Sequence, residues 1–215
     1  EIRNPLTSLK SATEILHETE DKIQRVKLID ILNHDVQRIE RLITDYSQML
    51  KDEVALSKEK MKKINLKLIT KSVVDDFNNI YEAKRGIKII LNDPNKEEEY
   101  FIHGIENRIE QIIANLLDNS ISFSDDNKNI SVKIYKDENE KVVLKVIDEG
   151  TGFKETSTKK IFNRFYSNRP DTFGEHSGLG LNIVKNLVDL HGATINASNN
   201  IAQKGANVEI VFPKS

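Results

Sequence analysis

An acidic residue followed by two glycines, at the end of an apolar run, constrains this chain more than any other feature. Residues 142–147 are apolar at all but one position and predict a buried strand that ends at Asp148. Gly150 and Gly152 follow, and because glycine has no Cβ, a ligand can approach the backbone closely there. The segment therefore predicts either a ligand site at a strand tip or a turn in which Asp148 caps the loop.

Two further blocks flank this strand tip. Asn115 and Asn119 lie four apart in an otherwise apolar helical run, so their amides point the same way. A glycine-led helix start follows later, where free N–H groups and the helix dipole favour phosphate. This third block consists of Ser177, Gly178, Leu179 and Gly180. Each block alone is a weak signal, but together they predict a nucleotide pocket; the alternative is a coincidence of turns and caps.

Composition excludes several classes of protein. The chain has 215 residues, enough for one large or two small domains, and its net charge of −2 argues against a nucleic-acid partner. Because it has no cysteine, disulfides and thiolate metal sites are excluded. No apolar run reaches the ~18–20 residues of a membrane span. The chain opens inside a motif without an initiator methionine, so we expect a piece of a longer protein.

The first part of the chain predicts a helical hairpin. Residues 1–17 carry one apolar stripe, with Pro5 expected to bend the helix, and residues 22–51 predict a longer second helix. Apolar residues of the second helix repeat with heptad spacing at Ile29, Leu32, Val36, Ile39, Ile43, Tyr46 and Leu50. Because two helices cannot bury such stripes alone, we expect a second copy to complete a four-helix bundle. The alternative is a hairpin packed against the rest of its own chain.

The remainder predicts an α+β fold, with domains at residues 1–55 and 62–215. Helices are expected at 65–79, 105–123 and 179–191, and strands at 86–91, 100–103, 130–135, 141–147, 193–196 and 207–212. These elements make a two-layer α/β domain, with helices on one face of a mixed sheet. Residues 151–176 have little apolar periodicity and predict a lid that closes over a ligand, with Arg164 among its cations.

The three blocks resemble the N, G1 and G2 boxes of the GHKL (Bergerat) ATPase fold found in sensor histidine kinases. Residues 161–166 resemble the F box of that family, and residues 1–9 resemble its H box starting one residue too late. Residues 119–124 and 165–174 are most similar to the ChvG/ExoS-type kinases of alphaproteobacteria.

The resemblance implies that the second domain binds ATP and Mg²⁺. Asp148 would accept a hydrogen bond from the adenine amine, and Asn119 would supply an oxygen ligand to Mg²⁺ with Asn115 in support. Phe123 would stack near the base or serve as a core aromatic. Gly178, Leu179 and Gly180 would present N–H groups to the phosphates, with Ser177 as a cap or phosphate contact.

The sequence departs from the family pattern at four positions. Ser122 stands where lysine is common and Ser167 where arginine is common, while residues 175–176 are Glu-His in place of paired glycines. The lysine and the arginine normally help to hold phosphate, so Arg169 would have to substitute.

The phosphoacceptor histidine implied by the resemblance is expected directly before Glu1. Glu1 would polarise its imidazole, and Asn4 would orient a water against a phosphorylated response regulator. The alternative is ordinary polarity of a first helical turn. As partners, the resemblance implies a homodimer and the receiver domain of a response regulator. It also implies a membrane-spanning sensor region outside this sequence, so that the chain is the cytoplasmic portion of an inner-membrane protein.

Two other functions remain open from the residues alone. A GHKL ATPase of the chaperone or DNA-repair type would need a glutamate to activate water, for which Glu110 is the candidate. A dimerisation and docking module with a degenerate ATP site would be consistent with Ser122 and Ser167.

Overall fold

The computed structural model describes residues 3–56, 59–154, 158–163, 166, 178–200 and 204–214. The described residues form two compact units: residues 3–56 with residues 178–179, and the described residues from 59 to 166 with residues 180–200 and 204–214. Within the described ranges, no helix combines the length and the apolar character needed to cross a membrane.

In the part of the first unit that the structure describes, two helices, α1 (Arg3–Glu18) and α2 (Lys22–Leu56), pack as a hairpin. Its turn is fixed by polar contacts: Nη1 of Arg25 donates to the carbonyls of Leu16 and Thr19, both at 3.0 Å. Pro5 lies in the first turn of α1, where its missing N–H leaves no intrahelical bond unmade. The hairpin agrees with the sequence prediction, although α2 continues five residues past the predicted end.

Among the described residues, the second unit has two sheets and three α-helices. Its elements in chain order are β1 (Lys62–Asn65), α3 (Leu66–Arg85), β2 (Lys88–Asn92), β3 (Phe101–Gly104), α4 (Glu106–Phe123), β4 (Asn129–Lys136), β5 (Val142–Ile147), a 3₁₀ helix (Thr158–Phe162), α5 (Gly180–Leu190), β6 (Thr194–Asn199) and β7 (Ala206–Val211). The strand order is β2-β4-β5-β7-β6 in the large sheet, where only β2 and β4 pair in parallel, and β1 pairs with β3 in a small antiparallel sheet. The predicted mixed sheet is confirmed.

The core lies between the helices and the large sheet. Strand β4 alternates buried and less buried residues, as expected for a strand with one covered face. The most buried apolar side chains include Ile109, Ile112, Ile113 and Leu117 of α4, Ile130, Val132 and Ile134 of β4, Leu144 of β5 and Ile210 of β7. Each contributes roughly 1.5–3 kcal/mol through burial, so α4 is held rigidly on the sheet.

Strand β1 and helix α3 of the second unit differ from the sequence prediction. Strand β1 lies in the charged segment where no strand was expected, because its pairing with β3 is a long-range contact that a charged local sequence does not reveal. Helix α3 continues to Arg85 and ends at Gly86, which has a φ of 63°. The prediction ended it at residue 79, in a polar Asn-Asn pair. The first of these, Asn78, instead bonds to the N–H and carbonyl of Ile89 at 2.8 and 2.9 Å.

Candidate nucleotide site

Asp148 directly follows β5 and is held in place by three hydrogen-bond donors. Its Oδ1 accepts from the N–H groups of Gly150 at 3.0 Å and Ala206 at 2.9 Å. The hydroxyl of Ser120 on α4 also donates to this carboxylate. Asp148 is only 4% exposed, and this burial raises its pKa above the usual value, while the three hydrogen bonds oppose the rise. The carboxylate is therefore fixed at the strand tip, and it caps the following loop as well.

The loop after Asp148 is locked to its neighbours by its glycines. A Cβ on Gly150 would lie 2.4 Å from the carbonyl oxygen of Phe123, so only glycine lets this loop pack on the end of α4. Gly152 has a φ of 73°, and a Cβ there would lie 2.8 Å from Oδ1 of Asn199. The packing of the loop against its neighbours is enough to explain why glycine is needed at both positions. A ligand contact at either glycine remains a prediction.

Three residues that hold this loop were missed by the sequence analysis. Asn199 accepts from the N–H of Phe153 at 2.6 Å and donates to the carbonyl of Phe153 at 2.8 Å. Gly205 has a φ of 140°, and a Cβ there would lie 1.9 Å from the carbonyl oxygen of Asp148. Ser120 is the third. Gly205, alone at the start of a strand, is a sequence signal for a close backbone approach, whereas Asn199 and Ser120 carry no local signal.

Helix α4 brings Asn115 to the start of α5. Nδ2 of Asn115 donates to the carbonyl of Gln111 at 2.8 Å, so its Oδ1 is left for other partners. That Oδ1 would lie 3.4 Å from a Cβ on Gly180, the first residue of α5. Asn119 follows one turn later on α4 and is, like Asn115, half-buried. The structure thus brings the asparagine block and the glycine-led helix start together at Asn115 and Gly180.

The remaining predicted site residues lie at the end of α4, before α5 and in α1, or fall outside the described residues. Phe123 is half-buried at the end of α4, Gly178 has a φ of 69°, and Leu179 is buried just before α5. Ser122, which stands where lysine is common, donates to the carbonyl of Asp118 in its own helix at 2.7 Å. Asn4 is exposed in the first turn of α1. Outside the described residues lie Glu1, Arg164, Ser167, Arg169, Ser177 and most of the predicted lid.

A cleft of about 510 Å³ opens beside the glycine loop. It is lined by Asp125, Lys128, Glu149, Gly150, Thr151 and Lys204. Two of these side chains form an ion pair, with Nζ of Lys128 3.8 Å from a carboxylate oxygen of Glu149. Among the described residues, no three histidine, cysteine, aspartate or glutamate side chains are grouped as a metal site.

Two family models match the chain in succession. A model described as "His Kinase A (phospho-acceptor) domain" matches residues 1–55. A model described as "Histidine kinase-, DNA gyrase B-, and HSP90-like ATPase" matches residues 104–215, which is just over half of the chain. The two models correspond to the predicted H box and to the three predicted ATP-site boxes.

Similar proteins agree with these matches. The sensor protein ChvG of Rhizobium meliloti is 34% identical over 211 residues, covering 95% of this chain and 36% of the relative. The sensor protein ChvG of Agrobacterium fabrum is 32% identical over 211 residues, covering 95% and 35%. The crystal structure of histidine kinase ThkA in complex with the response regulator protein TrrA has a similar fold, with a TM-score of 0.68 at 24% identity over 100% of this chain and 59% of that one.

The chain spans about a third of the length of the two ChvG relatives, and the predicted resemblance to ChvG-type kinases is confirmed. The phospho-acceptor match precedes the ATPase match, in the order that the sequence blocks predicted. The chain therefore belongs to the sensor histidine kinase family.

Proposed function

We propose that this chain binds ATP with Mg²⁺ and transfers the γ-phosphoryl group to a histidine expected directly before Glu1. The phosphoryl group then passes to an aspartate on the receiver domain of a response regulator, and the chain also catalyses the hydrolysis of that phosphoaspartate. Residues 1–55 form the dimerisation and phosphotransfer domain, and residues 62–215 form the ATP-binding domain.

The observation that carries this proposal is the convergence of three motif blocks on α4. On α4, Asn115 lies beside Gly180 at the start of α5. Further along the same helix, Ser120 donates a hydrogen bond to the carboxylate of Asp148. A nucleotide needs an acceptor for its adenine amine and N–H donors for its phosphates. Asp148 would supply the first, and the N–H groups in the first turn of α5 would supply the second.

The amide side chains of α4 fit a magnesium ion. Because Nδ2 of Asn115 is bound to its own helix, its Oδ1 faces the start of α5, where phosphates would lie. Mg²⁺ prefers oxygen ligands and keeps several waters, so one amide oxygen from Asn119 and support from Asn115 suffice without a carboxylate cluster. When bound, Mg²⁺ would neutralise charge on the phosphates. The amides hold it without adding negative charge beside them.

The phosphotransfer end lies at the start of α1. Asn4 is exposed in the first turn, where a receiver domain can reach it, and its amide would orient the water that hydrolyses the phosphoaspartate. Glu1 would polarise the phosphoacceptor imidazole as a neighbouring carboxylate. The ThkA structure, a complex with a response regulator, supports this assignment of the partner.

A homodimer is supported by the apolar surface of the hairpin. Ile29, Val36 and Ile43 belong to the predicted heptad seam, yet they are 45%, 45% and 54% exposed in the single chain. A second hairpin would cover this stripe and form the four-helix bundle. We place the dimer in the cytoplasm, attached to a membrane only through a sensor region outside this sequence.

The ATPase alternative is not favoured. Glu110 is exposed and lines a separate cleft of about 500 Å³ near the start of α4, together with Glu59 and Gly104. It lies nine residues before Asn119, about 14 Å along the helix axis, so it is poorly placed to activate water at the phosphates. The phospho-acceptor match over residues 1–55 also speaks against the ATPase alternative.

The test is phosphorylation with labelled ATP. The chain is prepared with a histidine directly before Glu1 and incubated with γ-labelled ATP and Mg²⁺, with an otherwise identical chain carrying glutamine at that position as control. We expect acid-labile, base-stable label on the histidine form only. Steady release of phosphate without labelled protein would instead establish an ATPase, and a chain that binds no nucleotide would leave only the docking module.

A further inference from the structure

His191 is a buried histidine whose two ring nitrogens both have partners. It directly follows α5 and is 4% exposed. The N–H of Ile105 donates to Nε2 at 3.1 Å, and Nδ1 lies 2.7 Å from the carbonyl of Leu187. Because Ile105 can only donate, Nε2 is an acceptor and the ring proton is on Nδ1, where it is donated to Leu187. Only the neutral ring makes both bonds at once, because protonation of Nε2 removes the acceptor for Ile105 and leaves the Nδ1–H bond to Leu187 in place.

The ring of His191 occupies the position of a helix cap. Ile105 is the N-cap residue of α4 and makes no side-chain capping bond. A Cβ on the preceding Gly104 would lie 3.0 Å from Cδ2 of His191, so the chain entering α4 runs directly along the ring. The end of α5 thus caps and positions the start of α4.

The same two helices meet again at the candidate nucleotide site. Ile105 contacts His191 at one end, and Oδ1 of Asn115 lies beside Gly180 at the other, so α4 and α5 run antiparallel between these two points. Ten residues of α4 separate these points, about 15 Å of helix. A shift at the histidine end therefore changes how the amides of α4 face the start of α5.

We propose that His191 is a positioning residue for the nucleotide site: its neutral ring holds α4 against α5, and its protonation releases that hold and weakens nucleotide binding. The inference rests on the proposed function, because it assumes that the site takes ATP. Protonation would place an N–H on Nε2 facing the N–H of Ile105, which turns an attraction into a repulsion between two donors.

The surroundings of His191 keep its ring neutral. Burial lowers its pKa below the usual value, the carbonyl of Leu187 opposes this, and no charged side chain contributes. The charged residues on the elements that contact the ring are directed elsewhere or exposed. On α5, Lys185 pairs with Asp189. At the start of α4, Glu106 is exposed and the buried Arg108 pairs through Nη2 with Oε1 of Glu59 at 3.1 Å. Exposed charged or titratable residues on β1 and β3 are Lys62, Lys63 and His103.

The pH profile of nucleotide affinity tests the proposal. The full chain is titrated with a trinitrophenyl-labelled fluorescent ATP and Mg²⁺ from pH 8 downward, in parallel with His191→Gln and His191→Leu. Glutamine can accept from Ile105 but does not titrate, whereas leucine cannot accept. The ratio of the wild-type Kd to the His191→Gln Kd cancels the protonation of the nucleotide and of Asp148.

We expect this ratio to rise as the pH falls through the pKa of His191, by up to about tenfold per pH unit. At pH 8, His191→Leu should bind about tenfold more weakly than wild type, and His191→Gln should restore most of that loss. A ratio that does not change with pH overturns the proposal. If the wild-type chain binds no nucleotide at pH 8, the proposed function fails first, so the two failures are distinguishable.

A second measurement does not depend on the variants. By linkage, nucleotide binding to the neutral ring must lower the pKa of His191, which the ring signals in an NMR titration report with and without ADP. An unchanged pKa would overturn the proposal even if His191→Gln failed to fold.

Discussion

Replacing Asp148 by asparagine should separate nucleotide binding from folding. The asparagine Oδ1 can still accept from Gly150 and Ala206, so the loop should keep its structure. The second oxygen becomes an NH₂ group, and this group would face the adenine amine with a donor instead of an acceptor. Losing a charged hydrogen bond and gaining a donor pair costs about 2–4 kcal/mol, about 30-fold to 1000-fold in Kd.

Asp148→Ala provides the matched comparison. It removes the acceptor of two buried N–H groups, which should lower the free energy of unfolding by roughly 2–6 kcal/mol, a large share of a typical total. Asp148→Asn should change it by only about 1 kcal/mol, because it keeps those bonds and removes a buried charge. Isothermal titration with ADP and urea unfolding measure the two quantities. If Asp148→Asn bound ADP as tightly as wild type, Asp148 would be a loop cap and nothing more.

The pH dependence of stability checks the same reasoning. Burial raises the pKa of Asp148 above its usual value of 3.8, so the folded state takes up a proton there more readily than the unfolded state. The stability that this group contributes is present below pH 3.8 and lost as the pH rises through the folded pKa. Asparagine does not titrate, so Asp148→Asn does not lose this stability as the pH rises. Urea unfolding at a series of pH values should show the free energy of unfolding of Asp148→Asn, relative to that of wild type, increasing from pH 3.8 to the folded pKa of Asp148 and then remaining constant. A relative free energy of unfolding that does not change with pH would contradict this account.

Two further predictions concern the loop and the hairpin. Gly205→Ala should destabilise the fold by about 3 kcal/mol or more, because its Cβ would lie 1.9 Å from the carbonyl oxygen of Asp148, whereas Gly192→Ala, with no atom within 4 Å, should cost only about 1 kcal/mol for its positive φ. Equal losses in urea unfolding would contradict the steric argument. Val36→Glu should shift the chain from dimer to monomer in analytical ultracentrifugation without lowering its helix content, while Leu68→Glu, at a more exposed apolar residue of α3, should leave the dimer intact. A dimer that survives Val36→Glu would place the interface elsewhere.

The sequence predicted the elements whose pattern is local. The heptad spacing of α2, the apolar run of β5 and the two asparagines on α4 each follow from periodicity within one segment. Periodicity fixes which face of an element is buried, and burial of that face decides its packing. The identity of Asp148 as a strand-tip residue follows from the same local pattern.

The contacts that hold the site were not predictable in this way. Asn199 binds the loop at Phe153 from 46 residues away, and His191 binds Ile105 from 86 residues away. A single asparagine or histidine has the same local appearance whether it is exposed or holds two elements together. Such residues acquire their role only when the sheet order brings β6 beside the loop and α5 beside α4.

The placement of these unpredicted residues explains how a charged group is kept inside the fold. Burying a carboxylate is costly unless hydrogen bonds offset the lost hydration. At Asp148 the donors come from the loop, the start of β7 and α4, so three separate elements must be in register for the charge to be tolerated. An element that shifts removes a donor and makes the ionised carboxylate less favourable. The acceptor for the proposed adenine contact is therefore available only when α4 is correctly seated, which is the position that its contacts with α5 maintain.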